Sequence, residues 1–156
     1  MAFPSRAEYE RLIYTLPSIS PWIEQSTLHF YTTSATGGTV RGIVHCQGDL
    51  ELRVNEVIDF ARGLLLDYSY SVYVGDERLY WYDPQPHPDD PTLSSTHPHH
   101  KHIPPDIRHH RVPAPGISFT HPNLPFLIRE IEERLKKTQL NGGGGDGRNT
   151  HIHHGQ

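Results

Sequence analysis

Residues 50–83 read LELRVNEVIDFARGLLLDYSYSVYVGDERLYWYD. Apolar residues recur here at every second position. Leu50, Leu52, Val54, Ile58 and Phe60 share one face of an extended chain, and Leu64, Leu66, Tyr68, Tyr70, Val72 and Val74 share one face of the next. Arg62-Gly63 and Gly75-Asp76 leave room only for tight turns between the runs. A parallel pair needs a crossover of about a dozen residues, and none fits, so these strands pair antiparallel. The pattern continues forward through Arg78 to Tyr82. It continues back through Val40 to Cys46 and Thr27 to Thr33, with Gly48-Asp49 and Gly37-Gly38 as turn signals. The expectation is an antiparallel meander of about five strands.

Helical spacing brackets this core. Ser5-Arg6-Ala7-Glu8 has the spacing of a capping box, and Tyr9, Leu12, Ile13 and Leu16 follow at helical intervals until Pro17 and Pro21. A helix over about 5–16 is predicted. Asn123 is a candidate cap for a second helix, with Pro125 tolerated in its first turn. Leu124, Leu127, Ile128, Ile131 and Leu135 form its apolar stripe, ringed by Arg129, Glu130, Glu132, Glu133, Lys136 and Lys137. Two helices covering one face of an antiparallel sheet make the class α+β. Residues 1–140 are read as one domain. Residues 141–156 carry too few apolar groups to offset their ordering entropy and are read as a disordered tail, His151, His153 and His154 included.

At 156 residues the chain has room for one core, and 35% hydrophobic residues with 14 prolines make that core modest. A formal net charge of -4 argues against a constitutive electrostatic clamp on nucleic acid, although 13 histidines can shift that balance beside phosphates. Cys46 stands alone, so neither an intrachain disulfide nor a cysteine-rich zinc module is available. No apolar run reaches the ~18 residues of a membrane span, and the N-terminus has no basic region followed by an apolar stretch. A soluble cytoplasmic protein is expected. Walker loops, G-x-S-x-G and H-E-x-x-H are missing too, which removes support for P-loop, nucleophile-elbow and zincin chemistry.

The chemistry concentrates between Pro84 and Pro122, where prolines interrupt any regular ladder and His87, His97, His99, His100, His102, His109, His110 and His121 gather. Histidine exchanges protons near neutrality and, when neutral, ligates metals. On an extended chain His100 and His102 share a side while His99 and His100 point apart, so His100/His102 is the better couple. Asp83 ends the last strand where this segment starts. It is read either as a turn former or as a carboxylate that orients an imidazole or joins His87 in holding a metal. Glu56 falls on the apolar face of its strand, where a carboxylate needs a partner. A bulge that turns it outward, an ion pair with Arg53, Arg41 or Arg78, and a site role all remain open. Arg108-His109-His110-Arg111 adds positive charge suited to phosphate.

Two routes to phosphodiester cleavage follow. In one, a histidine takes the ribose 2′-OH proton, a second protonates the leaving oxygen, and Lys101 or Arg111 stabilises the phosphorane. In the other, two or three histidines with Asp83 hold a divalent ion that activates water. A non-enzymatic binding module and a metal-storage or metal-sensing protein are the alternatives.

The order of the motifs resembles the TumE family of bacterial toxin–antitoxin proteins. The stretches that carry it are Leu50–Asp59 with its Arg53-Val54-Asn55-Glu56 core, Tyr68-Ser69-Tyr70, Arg78–Asp83, His87-Pro88, and Pro98-His99-His100-Lys101-His102. The likeness spans about residues 25–105. Pro84 stands where that family has Asn after the aspartate, His87-Pro88 stands where it has paired histidines, and residues 109–137 look like an addition. The resemblance implies a small cytoplasmic toxin, neutralised by a helix-turn-helix antitoxin, with RNA as substrate and no membrane partner. It implies that Glu56, Asp83, His87, His99, His100, Lys101 and His102 are the family's polar motif residues. Whether a divalent metal is needed stays open.

Overall fold

The computed structural model describes residues 2–142; the tail histidines 151, 153 and 154 lie outside them. Its class is α+β, as expected, but the sheet has eight strands where the alternation predicted about five. They are β1 (Ile23–Ser26), β2 (His29–Thr32), β3 (Gly37–Cys46), β4 (Leu50–Asp59), β5 (Leu64–Val74), β6 (Glu77–Asp83), β7 (His100–His102) and β8 (Arg111–Pro113). All pairings are antiparallel. The order is β1-β3-β4-β5-β6-β7-β8, with β2 also on β3.

The extra strands have identifiable causes. The run Thr27–Thr33 contributes only β2, because the ladder on β3 is interrupted at Thr27-Leu28 and β1 pairs with the same edge of β3 ahead of that break. Gly42 permits the close approach of the two segments at this break. Its φ is +146°, and a Cβ there would stand 2.6 Å from the Thr27 carbonyl oxygen. The other two additions, β7 and β8, sit inside the proline-rich segment read as irregular. Pro113 ends β8 at the sheet edge, where no ladder N–H is required of it. Between β6 and β7 the chain is ordered by a 3₁₀ turn, Pro91–Thr96, anchored through buried Leu93. Thr96 fastens that turn to both following strands: its hydroxyl donates to the His99 carbonyl (2.7 Å) and accepts from the Ala114 N–H (3.0 Å).

Helix α1 (Arg6–Tyr14) starts as its capping box predicts, with the Ser5 hydroxyl accepting from the Glu8 N–H at 3.2 Å. Helix α2 runs Leu124–Gly142. Its stripe of Leu124, Leu127, Ile128, Ile131 and Leu135 is buried against Leu50, Leu52, Val72 and Tyr80 in one continuous core. Each such side chain contributes on the order of 1.5–3 kcal/mol. Asn123 precedes the helix, but its side chain does not cap it. The amide oxygen accepts from the Ser118 N–H, and the amide nitrogen donates to the Ser118 carbonyl and the Tyr70 hydroxyl. On β5 the expected face also shifts. Leu66 is an extra residue opposite Val57/Ile58, so Leu65 and not Leu64 or Leu66 enters the core.

Both helices cover the same face of the sheet. The opposite face carries Arg41, Arg53, Asn55, Ser69, Ser71, Trp81 and Asp83, and it holds the candidate site at its β6–β8 end.

Candidate active site

The register between β6 and β7 builds the centre. Asp83 lies opposite His100 and Trp81 opposite His102, so all four side chains share the face away from the helices. The Nε2 atoms of His100 and His102 are 3.0 Å apart. His100 Nε2 is 3.1 Å from Asp83 Oδ1, and His102 Nε2 is 3.3 Å from Asp83 Oδ2. Among the described residues these three form the one group of His, Cys, Asp or Glu with ligand atoms close enough to share an ion.

Each member is held from behind. The Asp83 carboxylate accepts from the Gln85 N–H at 2.9 Å, so the residue is both turn former and site carboxylate. His100 donates Nδ1–H to the Pro98 carbonyl at 3.0 Å. His102 is stacked flat on the Trp81 indole, with centroids 3.6 Å apart, and that indole donates Nε1–H to the Ile107 carbonyl. His102 Nδ1 is buried with no protein partner. Both imidazoles are almost fully buried, and Asp83 is 15% exposed, which leaves the carboxylate as the accessible edge of the group.

Charge follows this geometry. Burial alone pushes the Asp83 carboxyl up, but hydrogen bonds from His100 and His102 hold it well below the usual carboxylate range. His100 is drawn down by burial, yet the Asp83 hydrogen bond and the Pro98 carbonyl raise it above an ordinary imidazole. His87 packs edge-on against His100 with centroids 4.8 Å apart. Burial and the nearby Arg111 charge lower its pKa.

Beside the group opens a cleft of about 420 Å³ lined by Trp81, Asp83, His87 and His102, with Arg78, Arg108 and Arg111 around it. Arg111 is opposite His102 across the β7–β8 pair. A cleft that joins imidazoles, a carboxylate and several guanidinium groups suits a phosphate ester. Of these lining groups, Trp81 and Arg78 belong to the Arg78–Asp83 motif stretch, but the sequence reading gives neither a site role and offers Arg78 only as a partner for Glu56. Their signal was available: Trp81 stands two residues before Asp83 and so shares its face.

Three expected site residues lie elsewhere. Alternation turns Lys101 to the helix side, where its ammonium pairs with Glu130 at 3.1 Å and lies over the Tyr80 ring at 4.2 Å. It therefore does not reach the cleft, and Lys101→Met is expected to leave any chemistry of the cleft unchanged while altering stability by less than ~1 kcal/mol. Parallel cleavage assays and thermal melts check both. His99 also points away from His100. It sits between Tyr68, whose hydroxyl meets its Nδ1, and Phe119, and burial lowers its pKa. Glu56 is fully buried on the helix face between the hydroxyls of Tyr9 and Tyr70. No bulge turns it outward, and Arg41, Arg53 and Arg78 lie on the other face, so neither alternative for it holds. A second cleft, about 440 Å³ between Tyr80, Lys101 and α2, contains no imidazole.

Among the described residues no helix is long and apolar enough to cross a membrane. No curated protein and no solved structure matches the chain. A family model described as toxin TumE matches residues 10–135, reaching past the motif stretches at both ends. Residues 109–135 therefore fall within the matched span. Since the match takes in every strand of the sheet and most of both helices, the chain belongs to the toxin TumE family.

Proposed function

We propose that this toxin cleaves RNA phosphodiester bonds at the Asp83–His100–His102 group, assisted by a divalent cation, and that it is held inactive by an antitoxin protein of helix-turn-helix type in the cytoplasm. The observation that carries the reading is the convergence of two Nε2 atoms and one carboxylate at 3.0–3.3 Å. Imidazole and carboxylate ligands lie about 2.0–2.2 Å from a zinc-like ion, which spaces neighbouring ligand atoms by about 3 Å. The bond from His100 Nδ1–H to the Pro98 carbonyl is the outer contact that fixes a metal-ligating tautomer, leaving Nε2 as the lone pair. A cation there would supply Lewis acidity and lower the pKa of a bound water. The chain's own groups do the rest. Arg78, Arg108 and Arg111 hold the phosphate and offset the charge that builds on it, and His87, which lines the cleft beside His100 and is kept neutral, accepts the proton of the attacking oxygen.

One observation favours a second reading without metal. In the structure His100 is placed to donate from both nitrogens, to Pro98 and to Asp83, as a protonated imidazole does. The pair would then exchange protons with the 2′-OH and the leaving oxygen.

One experiment separates these readings: RNA integrity with purified wild type and His100→Ala/His102→Ala, with and without chelator. Cleavage that stops on chelation, returns with added manganese or zinc, and is lost in the double variant is the expected result. Cleavage that ignores the chelator but is lost in the variant selects proton transfer. Undiminished cleavage by the variant removes both histidines from the mechanism.

A further inference from the structure

Across the face away from the helices, strand register aligns side chains into two rows, the second of which ends at the site. One row runs Arg41, Asn55, Ser69, and the next runs Arg53, Ser71, Trp81, His102, Arg111. Between the arginines the floor is made of small hydrogen-bonding groups, Asn55, Ser69 and Ser71, and shallow depressions of about 300 and 390 Å³ lie over it. Two arginines lie over aromatic rings: the Arg53 guanidinium is 3.8 Å from the Tyr73 centroid, and that of Arg78 is 4.8 Å from the Trp81 centroid. Whereas the whole chain carries -4, this face balances Arg41, Arg53, Arg78 and Arg111 against Glu51, Asp59, Asp67 and Asp83; Glu51 pairs with Arg53 at 3.4 Å, and two imidazoles engage Asp83.

We infer that this open sheet face is the substrate-binding surface and that it takes single-stranded RNA laid across the strands from β3 towards β8. The inference rests on the proposed RNA cleavage. Phosphates of a strand crossing the sheet meet Arg41 and Arg53 at one end and Arg111 at the other. A guanidinium already held over an aromatic ring can stack with a base on its outer side, with less ordering left to lose than a free arginine. Such stacking needs unpaired bases, because bases inside a duplex hide their faces from the protein. Asn55, Ser69 and Ser71 add sequence-tolerant hydrogen bonds without height that would block the path.

Fluorescence anisotropy tests it, with a short labelled single-stranded RNA and the same sequence in a duplex as probes. The protein is full-length Asp83→Asn, to suppress turnover, with and without Arg41→Ala/Arg53→Ala. Thermal melts show that each variant is folded. The expected outcome is binding of the single strand at least ~10-fold tighter than the duplex, weakened ~10-fold or more by the two arginine changes. The salt slope should also fall by about 1 per arginine removed. Equal binding by the arginine variant overturns the face assignment and leaves the cleavage reading standing. Equal affinity for the duplex overturns the single-strand assignment. A protein that binds neither RNA sinks the cleavage reading itself. If the arginine changes abolish antitoxin capture and leave RNA binding intact, the face is a protein-docking surface and the inference fails.

Discussion

Asp83→Asn is expected to reduce the proposed RNA cleavage by about 10²–10⁴-fold and to relieve growth inhibition on induction. Asparagine nearly matches aspartate in shape, so its oxygen can still accept from the Gln85 N–H, and the turn after β6 should persist. What disappears is the negative charge that two imidazoles share. Without it, two Nε2 atoms 3.0 Å apart have no counter-charge, and a cation loses its carboxylate ligand. Both chemical readings need that charge, so the expected loss does not depend on choosing between them. Single-turnover cleavage rates, with melts to show that the fold is intact, provide the measurement. A rate within a few-fold of wild type would take Asp83 out of the chemistry and leave it as a turn residue.

The second large effect lies on the other face. Glu56→Ala is expected to cost about 3–5 kcal/mol of folding stability, because it strands the Tyr9 and Tyr70 hydroxyls in the core and leaves a void. The carboxylate joins α1 to β4 and β5, and Tyr70 extends the link through Asn123 to the start of α2. Denaturant titration reads the loss directly. Glu56 also sets a pH dependence. Burial raises its pKa, and the hydrogen bonds from Tyr70 and Tyr9 only partly counter this. The folded state therefore keeps this proton to a higher pH than the unfolded chain does. Stability contributed here is full below the unfolded value of about 4.3 and declines as pH rises from there through the raised folded value. Glu56→Gln keeps a hydrogen-bond acceptor and cannot ionise, so its stability should lack that decline. An unchanged slope in the glutamine variant would mean that another group is titrating.

Glu56 shows where reading along the chain stops working. Its position on the apolar face of β4 was visible from alternation, as was its need for a partner. The partners were not. Tyr9 is 47 residues away, on a helix whose docking angle no local pattern encodes. Arginines closer in sequence looked equally suitable until the pleat put them on the far side. Lys101 illustrates the same point in reverse. It stands between two site histidines in sequence, and the two-residue period of a strand sends it through to the helix side. The strands β7 and β8 escaped notice because three-residue strands among prolines have no periodicity to detect.

Local rules on their own determined the class, the antiparallel pairing of the central strands, the start of α1, the apolar stripe of α2, and the shared side of His100 and His102. Each depends on contacts within a few residues: turn geometry, caps, and the alternation of side chains. Only the tertiary structure decided that Asp83 faces both imidazoles, that Trp81 backs one of them, and that Arg111 closes the cleft. Those meetings depend on the register of β6 on β7 and of β7 on β8, which is set by how the intervening segments are anchored through Leu93, Thr96 and Trp81. A shift of one residue in that pairing would turn the carboxylate away from the histidines, and no pattern in residues 84–99 specifies the shift.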